Sequence, residues 1–234
     1  MNVILDHIEP VADHIFTLWL RPDTKQAYIA GQYIEMYLPH ENPDERGEKR
    51  WFTLSSSPTE DLLAITTKHY GNPISTFKQH LFALQPGDAL KISEPMGDFV
   101  LPKDTTIPLV FVVGGIGVTP VRSMIKWLLD KQEKRDITLI YGVRNSSEVA
   151  FSELFEAYDL ATEIFVTEPE PDWEGLTGHI TAEHILSVAD NDPRTLIFVS
   201  GPEPLTEKLE SDLKAAGISP DRLVLDFFPG YPMS

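Results

Sequence analysis

The densest chemistry in the sequence lies in Pro108-Leu109-Val110-Phe111-Val112-Val113-Gly114-Gly115-Ile116-Gly117-Val118-Thr119-Pro120, an apolar run that breaks into glycines and continues as an amphipathic segment to Leu129. Glycines at a strand-to-helix turn let the backbone approach a pyrophosphate, whose charge is stabilised by free N–H groups and the positive helix end. Gly114, Gly115 and Gly117 are therefore candidates for a dinucleotide site. Any tight strand-to-helix turn also uses glycine, however, and Pro120 stands where a GxGxxG pattern would place its third glycine. A second group is Lys49-Arg50-Trp51-Phe52-Thr53-Leu54-Ser55-Ser56-Ser57-Pro58. An arginine fork pairs with phosphate, an aromatic stacks on a flat ring, and hydroxyls hydrogen-bond to ring heteroatoms; the plainer reading is a Ser/Thr-rich edge strand. Gly71-Asn72-Pro73-Ile74-Ser75-Thr76 precedes a helical pattern, and is either an anion site at a helix start or an ordinary serine cap. Val199-Ser200-Gly201-Pro202 ends an apolar run at a helix start, on the edge where open α/β sheets bind ligands.

Two kinds of pattern must position these groups. The first hundred residues carry short β-rich runs, Ile15 to Leu20, Gln32 to Leu38, Trp51 to Ser56, Leu62 to Lys68 and Ala89 to Ser93, separated by turn clusters such as Glu41-Asn42-Pro43-Asp44. That spacing predicts an antiparallel β-barrel or sandwich, of which the barrel is the expected form. One helix interrupts it, capped by Ser75, with Phe77, Leu81 and Leu84 at helical spacing. Beyond Lys103 the apolar runs Leu109 to Val113, Ile137 to Tyr141, Ile164 to Val166, Leu196 to Val199 and Leu223 to Phe227 alternate with helical segments. Continuous apolar strands alternating with helices predict a five-stranded, doubly wound parallel sheet covered on both faces. The expected organisation is two domains, residues 1–103 and 104–234.

Composition narrows the chemistry. The chain has 234 residues, 42% hydrophobic and 24% charged, ordinary globular usage with ample core for two domains. It contains no cysteine, which removes thiolate nucleophiles and any Cys-ligated zinc or intrinsic iron–sulfur cluster within this chain. The net charge of −17 argues against a nucleic-acid or anionic membrane surface. No apolar run reaches the roughly 18 residues of a membrane span, and the first residues lack a basic, then apolar leader, so a cytoplasmic location is expected.

The order of these motifs resembles the flavin- and nicotinamide-dependent ferredoxin-NADP reductase superfamily over nearly the whole chain. Arg50-Trp51-Phe52-Thr53 matches its Arg-x-aromatic-Ser/Thr element, and Asn72-Pro73-Ile74-Ser75 is similar to its Gly-x-x-Ser element, with Asn in place of Gly. The resemblance implies a flavin, FAD or alternatively FMN, held by Arg50, Trp51, Phe52, Thr53, Thr66, Thr67, Lys68, Asn72, Ile74 and Ser75. Arg50 would meet the phosphate, Phe52 the ring or ribityl chain, and Thr53 the reactive N5. It implies NADH or NADPH held by Gly114, Gly115, Gly117, Thr119, Pro120, Arg144, Gly201 and Pro202, and accounts for Pro120. Ser200 stands where many members have cysteine beside the nicotinamide, so the implied catalytic pair is Thr53 and Ser200, without a metal. Phe228 is a candidate lid on the flavin, or simply an aromatic closing the last strand.

Between Asn145 and Pro193 there is no Lys or Arg, which leaves Arg144 as the nearby cation and favours NADH over NADPH. The two halves carry about −5 and −12, so an acidic ferredoxin is a poor acceptor and a small molecule or basic protein a better one. The expected function is flavin-dependent NAD(P)H oxidoreductase. The alternatives are a reductase component of a multi-protein electron-transfer chain and, in another class, a non-catalytic nucleotide-binding or regulatory subunit.

Overall fold

The computed structural model describes residues 1–70, 75–189 and 192–228, with the side chains of Phe227 and Phe228 outside the description. The first sheet contains β1 (Asn2–Ala12), β2 (Ile15–Pro22), β3 (Tyr33–Tyr37), β4 (Lys49–Thr53), β5 (Leu63–Lys68) and β6 (Ala89–Ile92). They are ordered β4-β3-β6-β1-β2-β5, antiparallel where paired. A bridge between Leu54 and Ile65 brings the two outer strands together and closes the barrel. Helix α1 (Thr76–Ala83) plugs one end with Phe77 and Leu81, both fully buried. The sequence patterns omit β1, where Asp6 and Pro10 break the apolar alternation. Val3 and Leu5 still face the core, and the pairing with β2 shifts register beside Asp6 and beside Pro10.

The second sheet is parallel, in the order β10-β9-β8-β7-β11-β12. Its strands are β7 (Leu109–Gly114), β8 (Ile137–Val143), β9 (Ala161–Val166), β10 (Leu176–Thr177), β11 (Leu196–Pro202) and β12 (Leu223–Phe228). Helices α2 (Val118–Lys131), α3 (Ser152–Tyr158), α4 (Ala182–Ala189) and α5 (Glu203–Ala215) complete it. The sheet thus has six strands rather than the expected five, because the exposed two-residue β10, too short for any periodicity, pairs onto β9. Strand β7 is buried at every residue, as a strand covered on both faces must be.

The crossing between the sheets runs from Ile92 to Leu109. Phe99, within it, packs edge-on against Phe198 of β11 at 5.1 Å. Ile15, Ala30 and Phe99 belong to the same apolar cluster as one face of the parallel sheet and α2, so that cluster crosses the junction, while the barrel interior forms a cluster of its own. No helix among the described residues is long and apolar enough to cross a membrane.

Candidate active site

Alternation along β4 divides the Arg50 to Thr53 group between two faces. Cross-strand pairing sets Trp51 opposite Glu35 and Thr53 opposite Tyr33, whereas Arg50 and Phe52 sit opposite Met36 and Ile34 of the barrel core. Phe52 packs 6.1 Å from Phe77. Arg50 is buried: one terminal nitrogen donates to the carbonyls of Arg46, Gly47 and Lys49, and the other to both oxygens of Asp44. Its guanidinium also lies 4.9 Å from the Phe77 ring centroid. The phosphate contact expected of Arg50 therefore has an internal competitor in Asp44.

On the outer face, the rings of Tyr33 and Trp51 lie 6.0 Å apart beside Thr53, with Trp51 58% exposed. Gly97, at φ +107°, makes room for this arrangement, since a Cβ there would come within 2.8 Å of the Tyr33 ring. Two aromatic rings next to a buried threonine present flat apolar surface beside a hydroxyl, the kind of surface on which a heterocycle stacks. Tyr33 was absent from the expected site residues; what reveals it is its register opposite Thr53, which no local motif carries.

The neighbouring hydroxyls are less available. Thr66 hydrogen-bonds to Thr17 and to Ser55, each at 2.8 Å, and Thr67 lies opposite Phe16 on β2. Ser75 caps α1, accepting from the Lys78 amide at 3.2 Å, which is the ordinary use of serine at that position. Beside this helix start, Lys78 donates to the Lys68 carbonyl at 2.8 Å. Its ammonium is pushed down to about 8, first by burial and then by the charges of Lys68 and Arg46. Cations crowded against one another at a half-buried helix start make a locally positive site. Asn72 and Ile74 lie outside the described residues.

Lys68 reaches across to the parallel sheet. Its ammonium donates to Glu148 and to the Tyr70 hydroxyl, each at 2.7 Å, and Glu148 is almost fully buried. The same ammonium lies 3.1 Å from where a Cβ on Gly115 would be. A barrel cation thus stands over the glycine turn.

That turn, Gly115–Gly117, is a 3-10 turn leading into α2. Gly117 is required by close approach: a Cβ there would come within 2.2 Å of the Ser200 carbonyl oxygen. The turn consequently rests on the Ser200–Gly201 backbone, at the carboxyl ends of β7 and β11 where open α/β sheets bind ligands. Pro120 and Thr119 are buried in the first turn of α2, and the Thr119 hydroxyl donates back to the Ile116 carbonyl at 3.0 Å. Ser200 is fully buried opposite Val113 on one side and Asp226 on the other, and its hydroxyl donates to Asp226 at 3.4 Å. Burial pushes the Asp226 carboxyl up to about 6, opposed by the Ser200 hydrogen bond. Asp226 was not among the expected site residues, because only the pairing of β12 with β11 puts it beside Ser200. Phe228 pairs through its backbone with Pro202 in β12; its side chain is outside the description.

At the outer end of β8, Arg144 pairs with Glu168 at 2.9 Å, both exposed. The Glu168 amide donates to the Arg144 carbonyl at 2.8 Å, so the backbone holds the two side by side. Among the described residues, no group of three or more His, Cys, Asp or Glu is arranged to hold a metal ion.

Comparison with known proteins gives matches to nucleotide-binding oxidoreductases. Residues 111–211 match the oxidoreductase NAD-binding domain. The flavohemoprotein of Bacillus anthracis is 27% identical over 93% of this chain and 58% of its own length. The NADH oxidoreductase HCR of Escherichia coli K12 is 28% identical over 91% of this chain and 64% of its own. The chain thus spans less than two thirds of these curated relatives. Among solved structures, the flavohem-like FAD/NAD-binding domain of nitric oxide dioxygenase from Vibrio cholerae superposes with a TM-score of 0.81 at 23% identity, covering 97% of this chain and 98% of that one. The flavohemoglobin of Malassezia yamatoensis, solved with bound FAD and heme, gives 0.76 at 25% identity over 97% and 60%.

Proposed function

We propose that the chain is a flavin-dependent NADH oxidoreductase of the ferredoxin-NADP reductase type, a reading supported by its match to the oxidoreductase NAD-binding domain and by the two-domain fold it shares with a flavohem-like FAD/NAD-binding domain. The observation that carries the reading is Lys68, whose ammonium joins the end of a barrel strand to Gly115 of the glycine turn. In this reading the aromatic pair of β3 and β4 and the glycine turn face one cleft, with Lys68 between the two halves.

In this reading Tyr33 and Trp51 hold the flat ring of FAD, and the cations around Lys78 and Arg50 take its phosphates, in competition with Asp44. The flavin supplies an acceptor for hydride at its N5. Thr53 orients that edge through its hydroxyl, and Ser200, held by Asp226, packs against the nicotinamide. Gly114, Gly115 and Gly117 receive the pyrophosphate, with Lys68 as counter-charge. Hydride transfer needs no thiol, because flavin and nicotinamide carry the chemistry and the protein aligns them.

NADH is favoured over NADPH because no Lys or Arg follows Arg144 until Arg194, and Arg144 is itself paired with Glu168. For onward transfer, the net charge of −17 favours a small acceptor or a basic protein domain. The test is a spectrum of the purified protein with added FAD, followed by anaerobic addition of NADH. Flavin absorbance that bleaches with NADH, and more slowly with NADPH, is the expected result. A protein that neither binds flavin nor oxidises NADH above the buffer rate would overturn the reading. Flavin that binds but stays oxidised would point instead to a non-catalytic nucleotide-binding subunit.

A further inference from the structure

Arg122 lies in the second turn of α2, half-buried between the two halves of the molecule. One terminal nitrogen donates to the Ser55 carbonyl at 3.0 Å and to Glu60, and the other donates to Glu60 at 2.9 Å. Its flat guanidinium lies between two rings, 5.5 Å from the centroid of Trp19 and 5.9 Å from that of Phe151. Next to it, the fully buried Ser123 hydroxyl donates to the carbonyl of Ser56, also fully buried. At the far end of the helix the Thr59 hydroxyl donates to Asp130. Helix α2 is thus docked along its length on segment 55–60.

Both partners in this contact continue into the reacting groups. Segment 55–60 follows β4, so the gripped carbonyl of Ser55 is two residues from Thr53. Helix α2 continues the glycine turn, so Arg122 is five residues from Gly117. Moving the Arg122 grip would move the flavin edge and the pyrophosphate turn relative to one another. An arginine fork that makes charge-assisted bonds to a carboxylate and a third bond to a carbonyl is stiffer than a lysine point charge.

We infer that Arg122, with Glu60, is a positioning residue that sets the distance between nicotinamide and flavin. The inference rests on the reductase reading above, and the hydride concerned moves from the nicotinamide C4–H bond to the flavin N5. A displacement of about 1 Å in such a pair costs on the order of 100-fold in rate. A merely structural arginine would lower stability and leave rate per bound NADH unchanged.

The experiment compares flavin-loaded wild type with Arg122→Lys, Glu60→Gln and Ser123→Ala. Four quantities are measured: flavin content, NAD+ dissociation constant by calorimetry, the long-wavelength absorbance of stacked nicotinamide and flavin, and the bleaching rate at saturating NADH. Arg122→Lys is expected to slow bleaching roughly 10- to 100-fold and to diminish the stacking absorbance. Its flavin content should hold and its NAD+ dissociation constant should stay within about threefold. Glu60→Gln, which leaves the Ser55 bond in place, should give a smaller slowing. Wild-type bleaching rates in Arg122→Lys, or a loss confined to NAD+ affinity, would overturn the inference. If Arg122→Lys does not fold, unslowed bleaching in both Glu60→Gln and Ser123→Ala would overturn it equally. Failure of the wild type itself to be bleached would instead overturn the reductase reading on which it rests.

Discussion

Asp226→Asn should stabilise the protein at neutral pH, and by an amount that grows with pH. The carboxyl is mostly buried in the cleft, has no ion-pair partner among the described residues, and receives one 3.4 Å hydrogen bond from Ser200. Burial raises it from the ordinary 3.8 to about 6. Unfolded, the group loses its proton near 3.8; folded, it keeps it to about 6, so between those values the folded state binds more protons. Stability therefore falls as pH rises through this window and levels off above about 7. At about 1.4 kcal/mol per tenfold change in proton affinity, the full penalty is about 3 kcal/mol, of which about half is present at pH 5. Asparagine carries no charge and still accepts the Ser200 hydrogen bond, so it should gain about 1.5 kcal/mol at pH 5 and about 3 kcal/mol at pH 8. Urea denaturation of wild type and variant at both values, with the denaturant slope held common, measures this. A gain that does not change with pH, or a loss of stability at pH 8, would refute the assignment of the raised carboxyl to Asp226.

Glu168→Lys frees Arg144 and adds a cation beside it, so the ratio of kcat/KM for NADPH over NADH should rise by roughly an order of magnitude; steady-state kinetics with both nucleotides checks it. Tyr33→Ala should lower flavin content and raise the flavin dissociation constant severalfold, read by equilibrium dialysis, with less effect on the unfolding midpoint than a core substitution such as Leu54→Ala. Because Lys78 loses its charge near pH 8, flavin affinity should fall between pH 7 and 9 as the counter-charge to the phosphate disappears. Lys78→Arg, charged throughout that range, should flatten this pH profile.

The glycine turn was legible from residues alone, because a continuous apolar run meeting Gly-Gly-x-Gly before an amphipathic segment has few other solutions. The same holds for Ser200-Gly201-Pro202 at the end of β11, since its place follows from the strand-helix alternation. The barrel was legible as a class but not as a strand list. β1 hides behind Asp6 and Pro10, whose cost is met by bulged pairing with β2 that no local window contains. Arg50, Trp51, Phe52 and Thr53 were visible as a group, yet their division between two faces is a matter of register against β3.

The sequence by itself determined the two-domain plan, the absence of thiol chemistry and the acidic balance, because these depend on residue type and short-range period. Only tertiary structure decided the residues that act in pairs from distant segments. Tyr33 beside Trp51, Asp226 beside Ser200, Lys68 over Gly115 and Arg122 on Ser55 are each separated by many residues in the chain. Their meeting is set by strand pairing and by the docking of α2 on the barrel, and a hydrogen bond or a buried charge takes its value from the surroundings that this packing creates.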